Sequence, residues 1–278
     1  MIIWIASYPK SGNTYLRSFI ASYFFSKTGE FKFDHLLNIQ QFPNIKFSKF
    51  KNETKEEASE SWIFNQNNFF DKSKLTFLKT HNCLLKYSGN KFTTKQETLG
   101  GIYIVRDPRN VITSLTHHYS LNYNDALNYM RDEQSSLIEK SHENDHSNFS
   151  YLSSWSNHYK SWIENKEFKT LFIRYEDLEK QKIEVFSKII IFINELNADN
   201  SSLNEKKLLN SIKSTNFNTL KNKELVEGFE ESVYSKLTGK KLKFFNLGFN
   251  NRWQKILTSD IKNKVENKFS KEIKELSY

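Results

Sequence analysis

The first 25 residues constrain the fold most, because an apolar run leads directly into a polar loop and then into a helical pattern. Residues 2–5 are apolar and typical of a buried strand, whereas large apolar side chains recur at helical spacing over residues 16–24. Gly12, in the loop between them, permits a tight turn, and the first N–H groups of the following helix lack intrahelical partners. The segment therefore predicts a strand, a loop and a helix that bind a phosphate, with Lys10 adding a positive charge.

The loop SYPKSGNT, at residues 7–14, differs from the common loop that binds nucleoside triphosphates. That loop reads GxxxxGK[ST], with the lysine directly after the second glycine. Here Lys10 precedes Gly12 by two positions and no earlier glycine is present, so the match to an ATP-binding loop is poor. A strand-to-helix connection with incidental polar residues remains an alternative.

A second strand-like segment, LTFLKTH, ends in a lysine and a histidine. The alternation of a strand places the side chains of Lys79 and His81 on the same side. His81 is a candidate catalytic base, and the alternative is a histidine that only forms structural hydrogen bonds.

A third segment, GGIYIVRDPRNVITS, predicts a strand followed by a helix that begins near Asn110. Pro108 cannot continue a strand ladder, and Asn110 is a good helix cap. Arg106 then lies at the end of the strand and Ser114 one turn into the helix, where both can bind a phosphate. An ion pair between Arg106 and Asp107 is the alternative.

Together these segments resemble the motifs of the cytosolic-type sulfotransferases, which use 3′-phosphoadenosine 5′-phosphosulfate (PAPS). SYPKSGNTYL resembles the family's 5′-phosphosulfate loop, commonly YPKSGTTW, and LKTH resembles the Lys-Thr-His segment that carries the catalytic base. IYIVRDPRNVITS resembles the 3′-phosphate motif, and FIRYEDL resembles the family's fourth strand with its YED signature. GFNNRW, at residues 248–253, weakly resembles RKGxxGxW. In this order and spacing the motifs form a strong resemblance that covers most of the chain.

The resemblance implies that PAPS is the sulfuryl donor and that 3′,5′-ADP is the product. Tyr15 stands where the family often has a tryptophan that stacks on adenine, and an aromatic replacement retains the stacking. For Tyr175 and Phe217, ordinary core packing is the alternative to a role near the adenine. The residues that the resemblance places at the nucleotide are Lys10, Ser11, Gly12, Asn13, Thr14, Tyr15, Arg106, Ser114, Tyr175, Thr215, Phe217, Asn246 and Gly248.

One motif departs from the family pattern. An arginine and a lysine precede the glycine of RKGxxGxW and help to bind the 3′-phosphate, but Asn246 and Leu247 stand there in this chain. Arg252 and the lysine cluster at 240–243 are the nearest candidates to supply that charge, and a solvated turn is the alternative for the lysines. Because residues 226–245 lack a periodic pattern, we expect a mobile lid that orders over the nucleotide.

Sulfuryl transfer requires that an acceptor hydroxyl lose a proton while negative charge grows on the departing phosphate. A neutral His81 can take that proton as general base. Lys10 can stabilise the leaving phosphate and Lys79 the transferring group. Since lysines and backbone amides supply the positive field, and no residues are spaced as metal ligands, we predict that no metal ion takes part.

The spacing of apolar runs predicts an α/β protein with three α/β/α layers, like the P-loop nucleotide kinases, around a parallel sheet of about five strands. Strand-like runs lie at about 2–6, 75–80, 101–106 and 170–175. Helices are expected at 152–165, 183–196 and 258–276, the first with Trp155, Tyr159 and Trp162 in the core. Residues 35–70, 83–98 and 123–150 show little apolar pattern and are candidate insertions on the acceptor side.

The composition predicts a single enzyme domain over residues 1–278. A formal net charge of +9 suits an anionic cofactor, but the lysines are not accompanied by a nucleic-acid motif, so no nucleic-acid partner is expected. The single cysteine, Cys83, fits a reducing cytosol, and no apolar stretch or leader predicts a membrane span or export, so we expect a cytoplasmic protein. Cys83 follows His81 closely, although a buried inert thiol is the expected state.

The sequence leaves the acceptor and the oligomeric state open. A small molecule, a lipid or a saccharide with a hydroxyl group would each suit this chemistry. An ATP-dependent small-molecule kinase of related architecture is one alternative function, which the order of Lys10 and Gly12 disfavours. A nucleotide-binding protein without activity is another, which the combination of Lys10, Lys79 and His81 disfavours.

Overall fold

The computed structural model describes residues 1–138, 144–234 and 238–278. Its strands are β1 (Ile2–Ala6), β2 (Ile39–Gln41), β3 (Thr76–Thr80), β4 (Thr98–Val105), β5 (Ser136–Ile138), β6 (Phe149–Tyr151) and β7 (Lys169–Arg174). Its α-helices are α1 (Asn13–Phe25), α2 (Lys55–Phe69), α3 (Pro108–Tyr119), α4 (Tyr123–Arg131), α5 (Trp155–Ile163), α6 (Asp177–Lys180), α7 (Lys182–Leu196), α8 (Glu205–Ser214), α9 (Phe217–Glu227), α10 (Trp253–Ile256) and α11 (Ser259–Glu275). Short 3-10 helices span Phe33–Asn38, Ile45–Phe47 and Gly248–Asn250.

A five-stranded parallel sheet in the order β2-β3-β1-β4-β7 forms the centre of the fold. Side chains of β1 alternate between its faces: Ile3 and Ile5 pack with α1 and α7, whereas Trp4 and Ala6 pack with α2 and α5. Because helices cover both faces, the predicted three-layer α/β/α fold is confirmed. None of the helices in the described ranges combines the length and the apolar character needed to cross a bilayer.

Segments with a clear apolar period were predicted correctly. The four expected strands match β1, β3, β4 and β7 to within a few residues, and the three expected helices match α5, α7 and α11. Trp155, Tyr159 and Trp162 are fully buried, as predicted. Strong alternation or helical spacing therefore identified these elements even where their exact ends differed.

Several elements lie in segments that show little apolar pattern, and the predicted start of one helix was wrong. Residues 35–70 contain β2 and α2, and residues 123–150 contain α4, β5 and the start of β6. The α3 helix begins at Pro108 and not near Asn110, because the Asp107 carboxylate accepts a hydrogen bond from the Arg109 N–H at 2.9 Å and caps the helix. Pro108 then occupies the first helical position, where its missing N–H has no cost.

The sheet brings the ends of its central strands to one edge. Ala6 pairs with Thr80 of β3 and with Tyr103 of β4, so these strands end near the same level. The chain leaves β1 toward β2 and β3 on one side, and leaves β4 toward β7 on the other. Ligands of open α/β sheets bind in the crevice at such a switch point, next to the carboxyl ends of the strands.

Candidate active site

A cavity of about 560 Å³ opens at this edge, between the segments after β1, β3 and β4 and residues 230–233 and 244–248. Most of the residues predicted for donor binding and catalysis line it: Lys10, Gly12, Asn13, Thr14, Tyr15, Lys79, His81, Arg106, Ser114, Tyr175, Phe217, Asn246 and Gly248. Ser11, Thr215 and Arg252 lie outside its lining. Motifs that are far apart in the sequence therefore converge on one cavity.

The loop between β1 and α1 adopts a conformation that favours glycine. Gly12 has a φ angle of 99°, and a Cβ atom at this position would collide with the Tyr175 ring. Gly12 is also the N-cap of α1 and contributes no side-chain cap, so the first helical N–H groups are available to an anion. The Asn13 amide attaches the loop to β1 by donating to the Ile5 carbonyl at 3.0 Å and to Ser7 Oγ at 3.2 Å.

Lys10 carries its charge into the cavity from this loop. Its Nζ lies 4.5 Å from the centre of the Phe244 ring. Burial lowers the pKa of Lys10 to about 7; the Glu231 carboxylate opposes this shift, and the cations of Lys79 and Arg106 add to it. An anion bound in the cavity would raise this pKa and favour the charged lysine.

His81 presents one ring nitrogen as a hydrogen-bond acceptor. Its Nδ1 lies 2.8 Å from the Ser7 carbonyl oxygen, which assigns the proton to Nδ1 and the lone pair to Nε2. Burial lowers the pKa of His81 to about 3, and the charge of Lys79 acts in the same direction. The ring is therefore neutral near pH 7, which is the form that a general base requires.

The backbone of His81 is fixed by a buried histidine that the sequence analysis did not single out. His158 donates from Nε2 to the His81 carbonyl oxygen at 2.9 Å, and its Nδ1 accepts from the Tyr103 hydroxyl at 2.7 Å. The side chains of His158 and Tyr103 are both fully buried. The available signal was the position of His158 on the apolar stripe of α5, where a polar side chain needs partners.

Arg106 spans the other side of the cavity. Its Nη1 donates to the Lys10 carbonyl at 3.2 Å and to Ser114 Oγ at 3.3 Å, and its Nη2 donates to the Gly248 carbonyl at 3.2 Å. Its Nε is buried and has no hydrogen-bond partner among the described residues. The guanidinium plane lies over the Tyr175 ring at 4.3 Å.

Asp107, the alternative partner of Arg106, is engaged elsewhere. Its carboxylate pairs with Arg109 at 2.9 Å, and the Arg109 guanidinium also contacts Glu266 at 2.8 Å. The Arg109 plane lies 4.2 Å from the centre of the Trp253 ring. Arg109 therefore ties α3 to the C-terminal helices, while Arg106 remains at the cavity.

Aromatic rings line the end of the cavity beside Arg106. The Tyr175 ring stacks on Phe249 at 4.9 Å, and Tyr15 meets Phe249 edge-on at 5.7 Å. Phe217 packs against Gly248, where a Cβ atom would collide with its ring. Phe249 lies outside the cavity lining and supports the Tyr15 and Tyr175 rings from behind.

The nearest candidates in the sequence for the positive charge that Asn246 and Leu247 lack lie outside the cavity lining, and their role at the 3′-phosphate stays a prediction. Arg252 and the described lysines at 240–243 are exposed, and none of them lines the cavity. Lys221, on α9, places its Nζ 3.5 Å from the Asn246 carbonyl oxygen. Lys221 is therefore a further candidate cation near this turn.

Thr215 and Cys83 are both buried outside the cavity lining. The Thr215 hydroxyl donates to the Ser211 carbonyl at 2.7 Å, within the end of α8. Burial raises the pKa of the Cys83 thiol to about 12. Cys83 therefore behaves as a core residue, and a role of Thr215 at the nucleotide stays a prediction.

Glu231 is a cavity residue that carries no sequence motif. Its Oε2 accepts from Thr14 Oγ1 at 3.1 Å and lies 3.5 Å from Lys79 Nζ, and its Oε1 pairs with Arg17. Burial opposes ionisation, but the charges of Arg17 and Lys79 outweigh it and hold the pKa of Glu231 below its usual range. Sequence separations of 152 to 217 residues explain why no local pattern indicated these contacts.

The segment expected to form a lid, residues 226–245, contacts the cavity through its described parts. Phe244 and Phe245 donate their backbone N–H groups to the Glu224 carboxylate at 2.6 and 2.9 Å. The backbones of Val233 and Leu242 are joined by a hydrogen bond of 2.7 Å. Residues 235–237, which include the lysine at position 236, lie outside the described residues, and the mobility of the lid stays a prediction.

The cavity lining also includes a set of residues outside the predicted donor motifs, which we call the acceptor end because we expect the acceptor there: Gln41, Asn44, His117, His118, Tyr119, Leu137 and Val233. Gln41, Asn44 and Leu137 come from two of the three segments that were expected to be acceptor-side insertions. Burial lowers the pKa of His118 to about 3, with Lys10, His117 and Lys79 adding to the effect. His118 forms no hydrogen bond with the described residues, so both of its ring nitrogens are available to a ligand.

Comparison with known proteins agrees with these motifs. The family model for the sulfotransferase domain matches residues 2–277. A luciferin sulfotransferase from Photinus pyralis is 25% identical over 236 residues, which cover 81% of this chain and 58% of that protein. The chain therefore spans less than two thirds of the length of this relative.

Solved structures of similar fold include a retinol dehydratase in complex with androsterone and the inactive cofactor PAP, with a TM-score of 0.61 and 17% identity. The alignment covers 98% of this chain and 80% of that one. Mouse sulfotransferase SULT7A1 complexed with PAP has a TM-score of 0.57 and 18% identity, with 98% and 84% of the chains covered. The likeness at this identity concerns the fold, whereas the family model extends over nearly the whole sequence. The chain belongs to the sulfotransferase domain family.

Proposed function

We propose that this protein transfers the sulfuryl group of PAPS to the hydroxyl group of an acceptor. The observation that carries the proposal is the convergence of Lys10, Lys79, His81 and Arg106 on one cavity, with His81 Nε2 free to accept a proton. Three cationic side chains and a neutral base in one cavity suit the transfer of an anionic group to a hydroxyl.

The donor end of the cavity fits a nucleotide with two separate anionic groups. The uncapped start of α1 and the Thr14 hydroxyl suit the 5′ end, and the buried Ser11 Oγ beside them has no partner among the described residues. Arg106 and Ser114 suit a 3′-phosphate, since the Arg106 Nε is likewise buried without a described partner. Tyr15 and Tyr175 provide aromatic surface for the adenine.

When bound, PAPS supplies an activated sulfuryl group. His81 removes the acceptor proton at Nε2, and the Ser7 carbonyl, which accepts from Nδ1–H, stabilises the resulting imidazolium. Lys10 stabilises the charge that develops on the leaving phosphate, and Lys79 stabilises the oxygens of the transferring group. We infer no metal ion in this chemistry, because these residues already supply the positive field.

The acceptor in this proposal is a small molecule with a hydroxyl group. The names of the related proteins mention luciferin, retinol and androsterone, and they describe those proteins only. The acceptor end of this cavity carries amide and imidazole groups beside Tyr119 and Leu137, which suits a ligand with more than one polar group. A lipid or a saccharide would present hydroxyl groups of the same reactivity.

The test is single-turnover sulfuryl transfer from PAPS to a panel of alcohols and phenols, compared with ATP and magnesium as donor. His81→Ala should lose turnover by about 10²–10⁴-fold and keep its affinity for 3′,5′-ADP within a few-fold, because His81 contacts the acceptor. His35→Ala, at a histidine outside the cavity lining, is the matched control. Phosphoryl transfer from ATP, or full turnover by His81→Ala, would contradict the proposal.

A further inference from the structure

Glu231 connects three groups at the donor end of the cavity. One carboxylate oxygen accepts from the Thr14 hydroxyl at 3.1 Å and lies 3.5 Å from Lys79 Nζ, while the other pairs with Arg17. The side chains of Arg17 and Lys79 are only 5% and 9% exposed, and that of Glu231 is 27% exposed. A carboxylate is therefore held at the boundary between the buried cations and the open cavity.

Thr14 and Lys79 are the groups that the proposed function assigns to the anionic end of the donor. A carboxylate oxygen satisfies a hydroxyl donor and an ammonium group in the same way as a phosphate or sulfate oxygen. Two anions cannot share these partners, because like charges a few ångströms apart repel strongly where water is scarce. A bound phosphosulfate must therefore replace the Glu231 oxygen at Thr14 and Lys79.

The two oxygens of Glu231 serve different partners, which makes this replacement possible. Oε2 contacts Thr14 and Lys79, whereas Oε1 contacts Arg17. A nearly buried guanidinium without a counter-charge would cost folding free energy. We therefore expect the contact between Glu231 and Arg17 to remain when the donor binds. Displacement of Oε2 alone frees the anion contacts and leaves Arg17 paired.

We propose that Glu231 is an internal competitor of the sulfuryl donor, which occupies the anion contacts of Thr14 and Lys79 until the donor displaces it. The inference rests on the proposed function, because it takes these two residues as donor contacts. Glu231 thereby sets the donor affinity: its charge weakens the binding of every ligand that places an anion at this point. Ligands without an anion at the 5′ end do not meet the carboxylate.

Calorimetry with two nucleotides tests the competition. Glu231→Gln should bind 3′,5′-ADP about tenfold more tightly than the unsubstituted protein, a difference of about 1.4 kcal/mol. Adenosine 3′-phosphate, which lacks the 5′ anion, should bind equally to both. Glu230→Gln is the matched control, since the neighbouring carboxylate lines the same cavity, is exposed and loses the same charge. Unchanged or weaker binding of 3′,5′-ADP by Glu231→Gln, or equal tightening by Glu230→Gln, would overturn the inference.

Inorganic sulfate separates this inference from the proposed function. In thermal unfolding, sulfate should raise the melting temperature of Glu231→Gln more than that of the unsubstituted protein or of Glu230→Gln, because the freed contacts bind the ion. If no variant binds 3′,5′-ADP, the proposed function fails and the sulfate comparison still decides whether Glu231 competes with anions. If 3′,5′-ADP binds equally to all variants, the competition fails and the function stands.

If Glu231→Gln does not fold because Arg17 loses its counter-charge, Glu231→Asp replaces it in the test. The shorter side chain retains a negative charge for Arg17 but cannot maintain both contacts at Thr14 and Lys79. Its affinity for 3′,5′-ADP should lie between those of the unsubstituted protein and Glu231→Gln. An affinity below that of the unsubstituted protein would show that Glu231 holds the cations in place for the donor, and would reject competition.

Discussion

The proposed donor and acceptor ends of the cavity are formed by different kinds of structure. The donor end follows β1 and β4, where Gly12 is fixed by the approach of Tyr175 and Arg106 by hydrogen bonds to the Lys10 and Gly248 carbonyls. The acceptor end uses side chains from short or polar segments, such as Gln41 at the end of an edge strand. In the proposed function, nucleotide binding therefore depends on backbone geometry at the carboxyl ends of the strands, whereas the choice of acceptor depends on side chains from short or polar segments.

The largest effect is expected where the donor end depends on its backbone. Gly12→Ala places a Cβ atom against the Tyr175 ring at a φ of 99°, so affinity for 3′,5′-ADP should fall more than about 100-fold by calorimetry. Gly89→Ala is the matched control, because its φ is 84° and no atom lies within 4 Å of the added Cβ. Both variants carry the left-handed strain of about 1–2 kcal/mol, but only the first should lose the nucleotide.

Lys10 should affect the chemical step more than binding. Lys10→Ala removes the cation that meets the developing charge of the leaving phosphate, so the single-turnover rate should fall by about 10²–10³-fold. Lys182→Ala, which removes a cation near the Phe249 ring outside the cavity lining, serves as control. A Lys10→Ala enzyme with an unchanged rate would refute the role of Lys10 in the reaction.

Arg106 should affect nucleotide selection. Arg106→Ala should reduce the difference in binding free energy between 3′,5′-ADP and AMP by about 1.5–3 kcal/mol, which is the range of a hydrogen bond to a charged group. The measurement is calorimetry with both nucleotides. A ratio that stays the same in Arg106→Ala would show that the 3′-phosphate binds elsewhere, with Lys221 as the next candidate.

A substitution at the acceptor end should not change the binding of the donor. His118→Phe keeps an aromatic ring beside Phe244 but removes the ring nitrogens, so we expect KM for a polar acceptor to rise about threefold to tenfold. The affinity for 3′,5′-ADP should not change. A loss of donor affinity would break the separation between the two ends.

The smallest expected effect is a pH dependence of donor affinity. Burial depresses the pKa of Lys10 to about 7. Because a bound anion favours the charged form of Lys10, this side chain takes up a proton when the anion binds above that pH. The affinity for 3′,5′-ADP should therefore fall as the pH rises from about 7 to 9, and Lys10→Arg should remove the trend. The neighbouring charges are Glu231, Lys79, Arg106 and Glu224. Affinity that rises with pH would contradict this linkage.

The sequence indicated most of the residues that converge on the cavity, because glycine, proline and charged residues next to strands have local meanings. Gly12 and Arg106 follow strands with clear apolar patterns, and both line the cavity, while their contact with a nucleotide stays a prediction. The α2 helix was missed because its sequence, KEEASESWIFNQNNF, is mostly polar and buries few apolar side chains. A helix-start signal was present in Thr54 and Glu57, since the Thr54 side chain caps the helix by accepting from the Glu57 N–H at 3.1 Å.

Contacts between residues that are far apart in the sequence could not be predicted from it, for a physical reason. Glu231 meets Arg17 and Lys79 only after the sheet has brought distant segments together, and no period or spacing encodes that meeting. His158, on α5, likewise supports the backbone of His81 across 77 positions of the sequence. The residues that tune a site are therefore harder to predict than those that define its chemistry.

The most direct test of the central claim is a crystal structure of the complex with 3′,5′-ADP. We expect the 5′-phosphate on the N–H groups at the start of α1, the 3′-phosphate on Arg106 and Ser114, and the adenine between aromatic rings near Tyr175. We also expect that the Glu231 oxygen has left Thr14. A nucleotide bound in the opposite direction, or outside this cavity, would contradict the account.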